Sequence, residues 1–110
     1  MSLNNIIYKG RDNEVFIAFT FDGDFAATGL ANFDEVTLDI GGETYSTVTT
    51  PSQLFLKDNF TLALKIGDIT TLTVGNYSPE IIGISTTYND GFILNCATSS
   101  KISSITVKDC

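Results

Sequence analysis

Residues 33–46, FDEVTLDIGGETYS, constrain the fold more than any other stretch of the chain. Val36, Leu38 and Ile40 alternate with Thr37 and Asp39. A period of two gives one apolar face and one wet face, the signature of a half-buried strand. Gly41-Gly42 follows, and a pair of glycines supplies the positive φ angles of a tight hairpin turn. Residues 43–46 then return in polar, β-compatible side chains. A hairpin of this kind is marginal by itself in water, so other strands must cover its apolar face.

The rest of the chain offers those strands. Residues 6–9 are a short apolar piece suited to a first or edge strand, and residues 10–13, GRDN, form a turn cluster. Residues 14–21, EVFIAFTF, are the most apolar run; both parities carry apolar side chains, which predicts a central strand covered on two sides. Asp22-Gly23-Asp24 breaks it, and small residues up to Asn32 predict a crossing loop with room for a short helical turn. Pro51 restricts residues 47–52 to an edge strand or a loop. Residues 53–57 and 60–66 read as partner strands around an Asp58-Asn59 turn, and residues 67–75 as a connection that packs a few apolar side chains under the sheets. Residues 80–88 and 92–97 flank Asn89-Asp90-Gly91, a strong hairpin signal. Thr98-Ser99-Ser100 turns into a last strand over residues 101–108. About seven to nine short strands, with turn signals roughly every ten residues, predict an all-β fold. The expected architecture is an immunoglobulin-like antiparallel β-sandwich, a single domain over residues 1–110.

Composition narrows the chemistry. A chain of 110 residues, 43% of them hydrophobic, can bury roughly 65% of its unfolded surface and fold without staples. The net charge of −7, from 6 basic and 13 acidic residues, disfavours nucleic acid and anionic membrane surfaces as partners. No apolar run approaches the ~20 residues of a membrane span, and the first residues lack the features of a signal peptide. Met1-Ser2-Leu3 carries no functional weight. Histidine is absent, which removes Ser-His-Asp triads, His-based acid–base pairs and most zinc sites. Glycine-rich phosphate loops are absent too. Catalysis and cofactors are therefore not expected. Of the two cysteines, Cys96 sits in an apolar run and reads as a small buried hydrophobe; a Cys96–Cys110 disulfide is the less favoured alternative.

Two constellations stand out as binding candidates. Asp22 and Asp24 flank a glycine, with Asp34 and Glu35 further on, and carboxylates at that spacing can ligate calcium. The plainer reading is a turn with solvated acids. Tyr8, Tyr45, Tyr77 and Tyr88 could build a carbohydrate-stacking platform, although tryptophan is missing and Tyr77, just before a strand, fits a sandwich corner. The phenylalanines, including Phe16, Phe19, Phe21 and Phe25, read as core.

The order of several motifs carries a resemblance. Arg11-Asp12-Asn13-Glu14-Val15 opens the first long strand; Phe21-Asp22-Gly23 leads to Thr28-Gly29-Leu30 and Val36-Thr37-Leu38. Leu64-Lys65-Ile66-Gly67, Val74-Gly75-Asn76-Tyr77 and Asp90-Gly91 punctuate the second half. This succession resembles the immunoglobulin-like domains of tailed-phage virion proteins and covers nearly the whole chain. The resemblance implies a non-catalytic phage or prophage structural protein, a tail, baseplate or fibre-attachment component. Its implied partners are other virion proteins, with self-association into a homo-oligomer as an option, and its implied location is the virion, assembled in the host cytoplasm. The resemblance carries over no active-site residues. Relatives in the upper baseplate continue into a helical stalk or receptor-binding part, which this sequence lacks. Residues 5–9 and 47–52 are the expected assembly edges, and residues 1–9 are expected to be dispensable for folding. A carbohydrate-binding or adhesin-type β-sandwich module is the alternative function.

Overall fold

Val36, Leu38 and Ile40 turn inward and are buried, while Asp39 faces water, as the period of two requires. They belong to β3 (Glu35–Ile40), which pairs antiparallel with β4 (Glu43–Ser46) through the register Ile40↔Glu43. Gly41 and Gly42 form the two-residue loop with φ of +57° and +91°, the pair of positive angles that a type I′ turn needs. In this computed structural model the described residues are 5–96 and 104–109, Asp24 in its backbone only.

Ten strands are present among the described residues. Beside β3 and β4 they are β1 (Ile6–Tyr8), β2 (Val15–Ala18), β5 (Leu54–Asp58), β6 (Thr61–Leu64), β7 (Gly75–Tyr77), β8 (Glu80–Ile84), β9 (Phe92–Asn95) and β10 (Ile105–Lys108). They form three sheets, in the orders β1-β10-β7, β2-β6-β5 and β4-β3-β8-β9. Two short 3-10 turns, Gly23–Phe25 and Gly29–Asn32, fill the crossing between β2 and β3. The three sheets share one core. Ile7, Ile105 and Val107 enter it from the first sheet, Val15, Leu62 and Leu64 from the second, and Val36, Leu38 and Ile81 from the third. The fold is all-β and consistent with a β-sandwich.

Several elements depart from the sequence expectation, each for a local reason. The expected central strand, β2, lies at a sheet edge, and β6 is the central strand of that sheet. Leu62, Ala63 and Leu64 of β6 are all fully buried. The second apolar parity of β2 is only partly covered: Lys57 Nζ lies 5.2 Å from the Phe16 ring and Ala18 is exposed, while Phe19 and Phe21, of the first parity, lie beyond the strand and pack with other aromatics. The β5–β6 turn falls on Asn59-Phe60, one residue later than expected, because Asp58 Oδ1 accepts the Phe60 N–H at 2.8 Å. Residues 47–52 form no strand, which removes them as an assembly edge. Instead Thr50 ties the chain into a turn, its hydroxyl accepting the Ser46 N–H and donating to the Ser46 carbonyl.

Within residues 67–75, Leu72 is buried beside Gly41, whereas Ile69 and Val74 are exposed. Among the described residues the pairing of β1 with β10 is parallel, the exception in an otherwise antiparallel set. Nearly the whole chain separates those two strands, so no hairpin dictates their direction. Thr98-Ser99-Ser100, most of the interval before β10, and Cys110 with its candidate disulfide lie outside the described residues.

Candidate functional site

Among the described residues, Asp22, Phe25, Tyr88 and Phe92 line an open cleft of about 260 Å³. Three separate segments build it. Phe25 closes the first 3-10 turn, which Asp22 enters in extended conformation (φ −114°, ψ 164°). Tyr88 stands in the connection between β8 and β9, and its carbonyl accepts the Gly91 N–H at 3.0 Å. Gly91 has a φ of +99°, so the chain can reverse there and put Phe92 opposite Gly83.

The three rings pack edge to face. Their centroids are 5.9 Å apart for Phe25–Tyr88, 5.5 Å for Phe25–Phe92 and 5.1 Å for Tyr88–Phe92, with interplanar angles of 83°, 70° and 70°. Such aromatic pairs are worth about 0.5–1.5 kcal/mol each beyond the area they bury. Phe33 lies behind them, 5.7 Å from both Phe25 and Phe92. Its ring occupies the space a Cβ at Gly83 would need, 2.6 Å from the nearest ring carbon. The glycine in β8 thus makes room for the aromatic cluster.

A second polar cluster is structural. The Glu43 carboxylate accepts hydrogen bonds from the hydroxyls of Tyr45 (2.7 Å), Thr70 (2.7 Å) and Thr71 (2.7 Å) and from the Thr71 N–H (2.9 Å). Burial pushes the Glu43 pKa up, but the hydrogen bonds outweigh it and hold the group at about 2, below its ordinary 4.5. Tyr45 is pushed well up by burial and by the carboxylate to which it donates. The node fastens the β6–β7 connection onto β4.

Asp22 is exposed and lines the cleft, and the side chain of Asp24 is not among those described. Asp34 is exposed, and Glu35 accepts a short hydrogen bond from the Ser46 hydroxyl across the sheet. Among the described residues no three His, Cys, Asp or Glu side chains gather as a metal site. The four tyrosines do not form a row. Tyr45 is buried on the Glu43 node, Tyr77 donates its hydroxyl to the Thr73 carbonyl at 2.7 Å in a corner role, Tyr8 lies on β1, and Tyr88 lines the cleft. Phe25 and Phe92 were not legible as cleft residues. The only hint was the placement of Tyr88 and Phe92 on either side of the Asn89-Asp90-Gly91 turn.

The sheet edge next to this cleft is β9. Among the described residues it pairs with β8 and is the outermost strand of its sheet. Its residues, Phe92-Ile93-Leu94-Asn95, carry no charge and no proline, and Ile93 is 55% exposed.

No protein family, curated protein or solved structure matches the chain. Among the described residues no helix is long and apolar enough to cross a membrane.

Proposed function

We propose that this protein is a non-catalytic structural component of a tailed-phage or prophage virion, in the tail, baseplate or fibre attachment. On this reading it is assembled in the host cytoplasm and works by binding other virion proteins or further copies of itself. The motif order described above supports the reading, and the β9 edge is the observation that carries it. An exposed strand edge is a row of unpaired N–H and C=O groups, and soluble proteins normally guard such edges with charge, proline, bulges or brevity. The other sheet edges among the described residues are guarded. β5 ends in Lys57-Asp58 with a register irregularity, β4 is polar with Glu43 committed to its node, and β1 and β7 have three residues each. On β2, the Lys57 ammonium lies over Phe16. Among the described residues, Phe92–Leu94 of β9 have none of these except a register shift in the pairing with β8, and they add an exposed isoleucine. A strand added there gains directional backbone hydrogen bonds with Ile93 as an anchor. In a ring or fibre, many copies multiply a modest contact through effective concentration.

The test begins with purified tailed particles from the lysed source culture. The peptide of residues 58–65, DNFTLALK, is expected in their digest in stoichiometric amount. Its absence from intact particles, with the protein present in the lysate, overturns the reading. Ile93→Lys is the companion variant. It should keep the melting temperature of the parent yet fail to enter particles, because the new charge blocks strand addition at an already exposed position.

A further inference from the structure

We infer that the cleft between Asp22, Phe25, Tyr88 and Phe92 is a binding site for an alkylammonium group. The inference does not depend on the virion reading. Aromatic rings present electron-rich faces that attract a cation within about 6 Å of the ring centre, most strongly where water is partly excluded. Here three aromatic rings and the Asp22 carboxylate line one small, open cleft. Asp22 is exposed and makes no side-chain hydrogen bond to the turn it precedes, so its charge is at the disposal of a ligand.

The surrounding sequence has the same sign. The six basic residues are Lys9, Arg11, Lys57, Lys65, Lys101 and Lys108, so residues 12–56 and 66–100 contain none. Every segment that lines the cleft comes from those two stretches. Asp90 lies between Tyr88 and Phe92 in the turn that carries them, and the whole chain is at −7. Such a field favours a cation and disfavours an anion. The volume, about 260 Å³, falls just below the roughly 300–1,000 Å³ of pockets for drug-sized ligands. It therefore suits a headgroup or side-chain end and not an extended sugar chain.

The same chemistry can arrive as a quaternary headgroup or as a primary amine on a side chain. Choline chloride and Nα-acetyl-lysine amide represent the two. Their neutral counterparts are 3,3-dimethylbutan-1-ol and Nα-acetyl-norleucine amide. Binding to the full chain is followed by NMR shifts of the Phe25, Tyr88 and Phe92 ring protons. At least one cation is expected to bind in the millimolar range and at least about threefold more tightly than its neutral counterpart. Whichever binds identifies the source. Asp22→Asn should weaken that binding by about threefold or more without moving the melting temperature, since it removes an exposed charge and no packing. Neutral counterparts that bind as well as the cations would reduce the cleft to a plain apolar dent. Absent shifts with both cations, or Asp22→Asn binding equal to the parent, overturn the inference as well.

Discussion

Glu43 shows how one side chain can be invisible in sequence and decisive in structure. Its partners Thr70 and Thr71 stand 27 and 28 residues away, so no local pattern announces the node. The linkage gives it a testable sign. Its carboxyl titrates at about 2 in the folded chain and near 4.5 when unfolded, so the folded state binds fewer protons between those values. The stabilisation is complete above pH 4.5 and disappears as pH falls toward 2. Glu43→Gln keeps the shape but not the titration. Melting temperatures measured from pH 6 to pH 2 should therefore fall less steeply for the variant than for the parent. Parallel curves would mean that the four hydrogen bonds do not favour the ionised form. By contrast, Gly41 and Gly42 were legible, because a two-residue loop of this handedness admits few other residues. Gly83 was not legible: its reason for being glycine is the Phe33 ring, supplied by a segment fifty residues earlier in the chain.

At the scale of the element, alternation located strands well and ranked them poorly. Period two identified β3, β6 and β8, yet it could not tell that the richest run, β2, would lie at an edge while β6 took the centre. Burial on both faces depends on which neighbours arrive, and a strand does not encode its neighbours. β1 is the clearest case. Three residues looked like a removable edge, yet Ile7 is fully buried and β1 is hydrogen-bonded to β10. The flanking residues add Lys9 N–H to the Lys108 carbonyl at 2.9 Å and Gly10 N–H to the Gly67 carbonyl at 2.6 Å. Ile7→Ala is expected to cost about 2–5 kcal/mol in urea unfolding. Removing residues 1–9 should yield a chain without a cooperative transition, contrary to the expectation that the segment is dispensable. A truncated chain that melts like the parent would show that β1 only rests on the core.

At the scale of the molecule, the all-β class was legible because every segment repeated the same vocabulary of alternation and turn. The division into three sheets was not, since it depends on contacts between segments far apart. The aromatic cleft was equally hidden, as Phe25 and Phe92 meet across two different connections. Net charge acts at this scale too. Copies at −7 repel one another, and salt screens that repulsion. If self-association runs through the uncharged β9 edge, sedimentation should show it strengthening as sodium chloride rises from low to physiological concentration. Weakening with salt would point to ion pairs and away from β9.

The parallel pairing of Ile6 with Thr106 also fixes an order in time. On the ribosome Ile6 is made before Thr106 and must wait for a partner encoded one hundred positions later. At 5–20 residues per second, that wait lasts roughly 5–20 s. During it, the two sheets built from residues 15–64 and 35–95 can already close, while Ile7 remains outside. Of the ten described strands, the one made last is thus the one that admits the one made first.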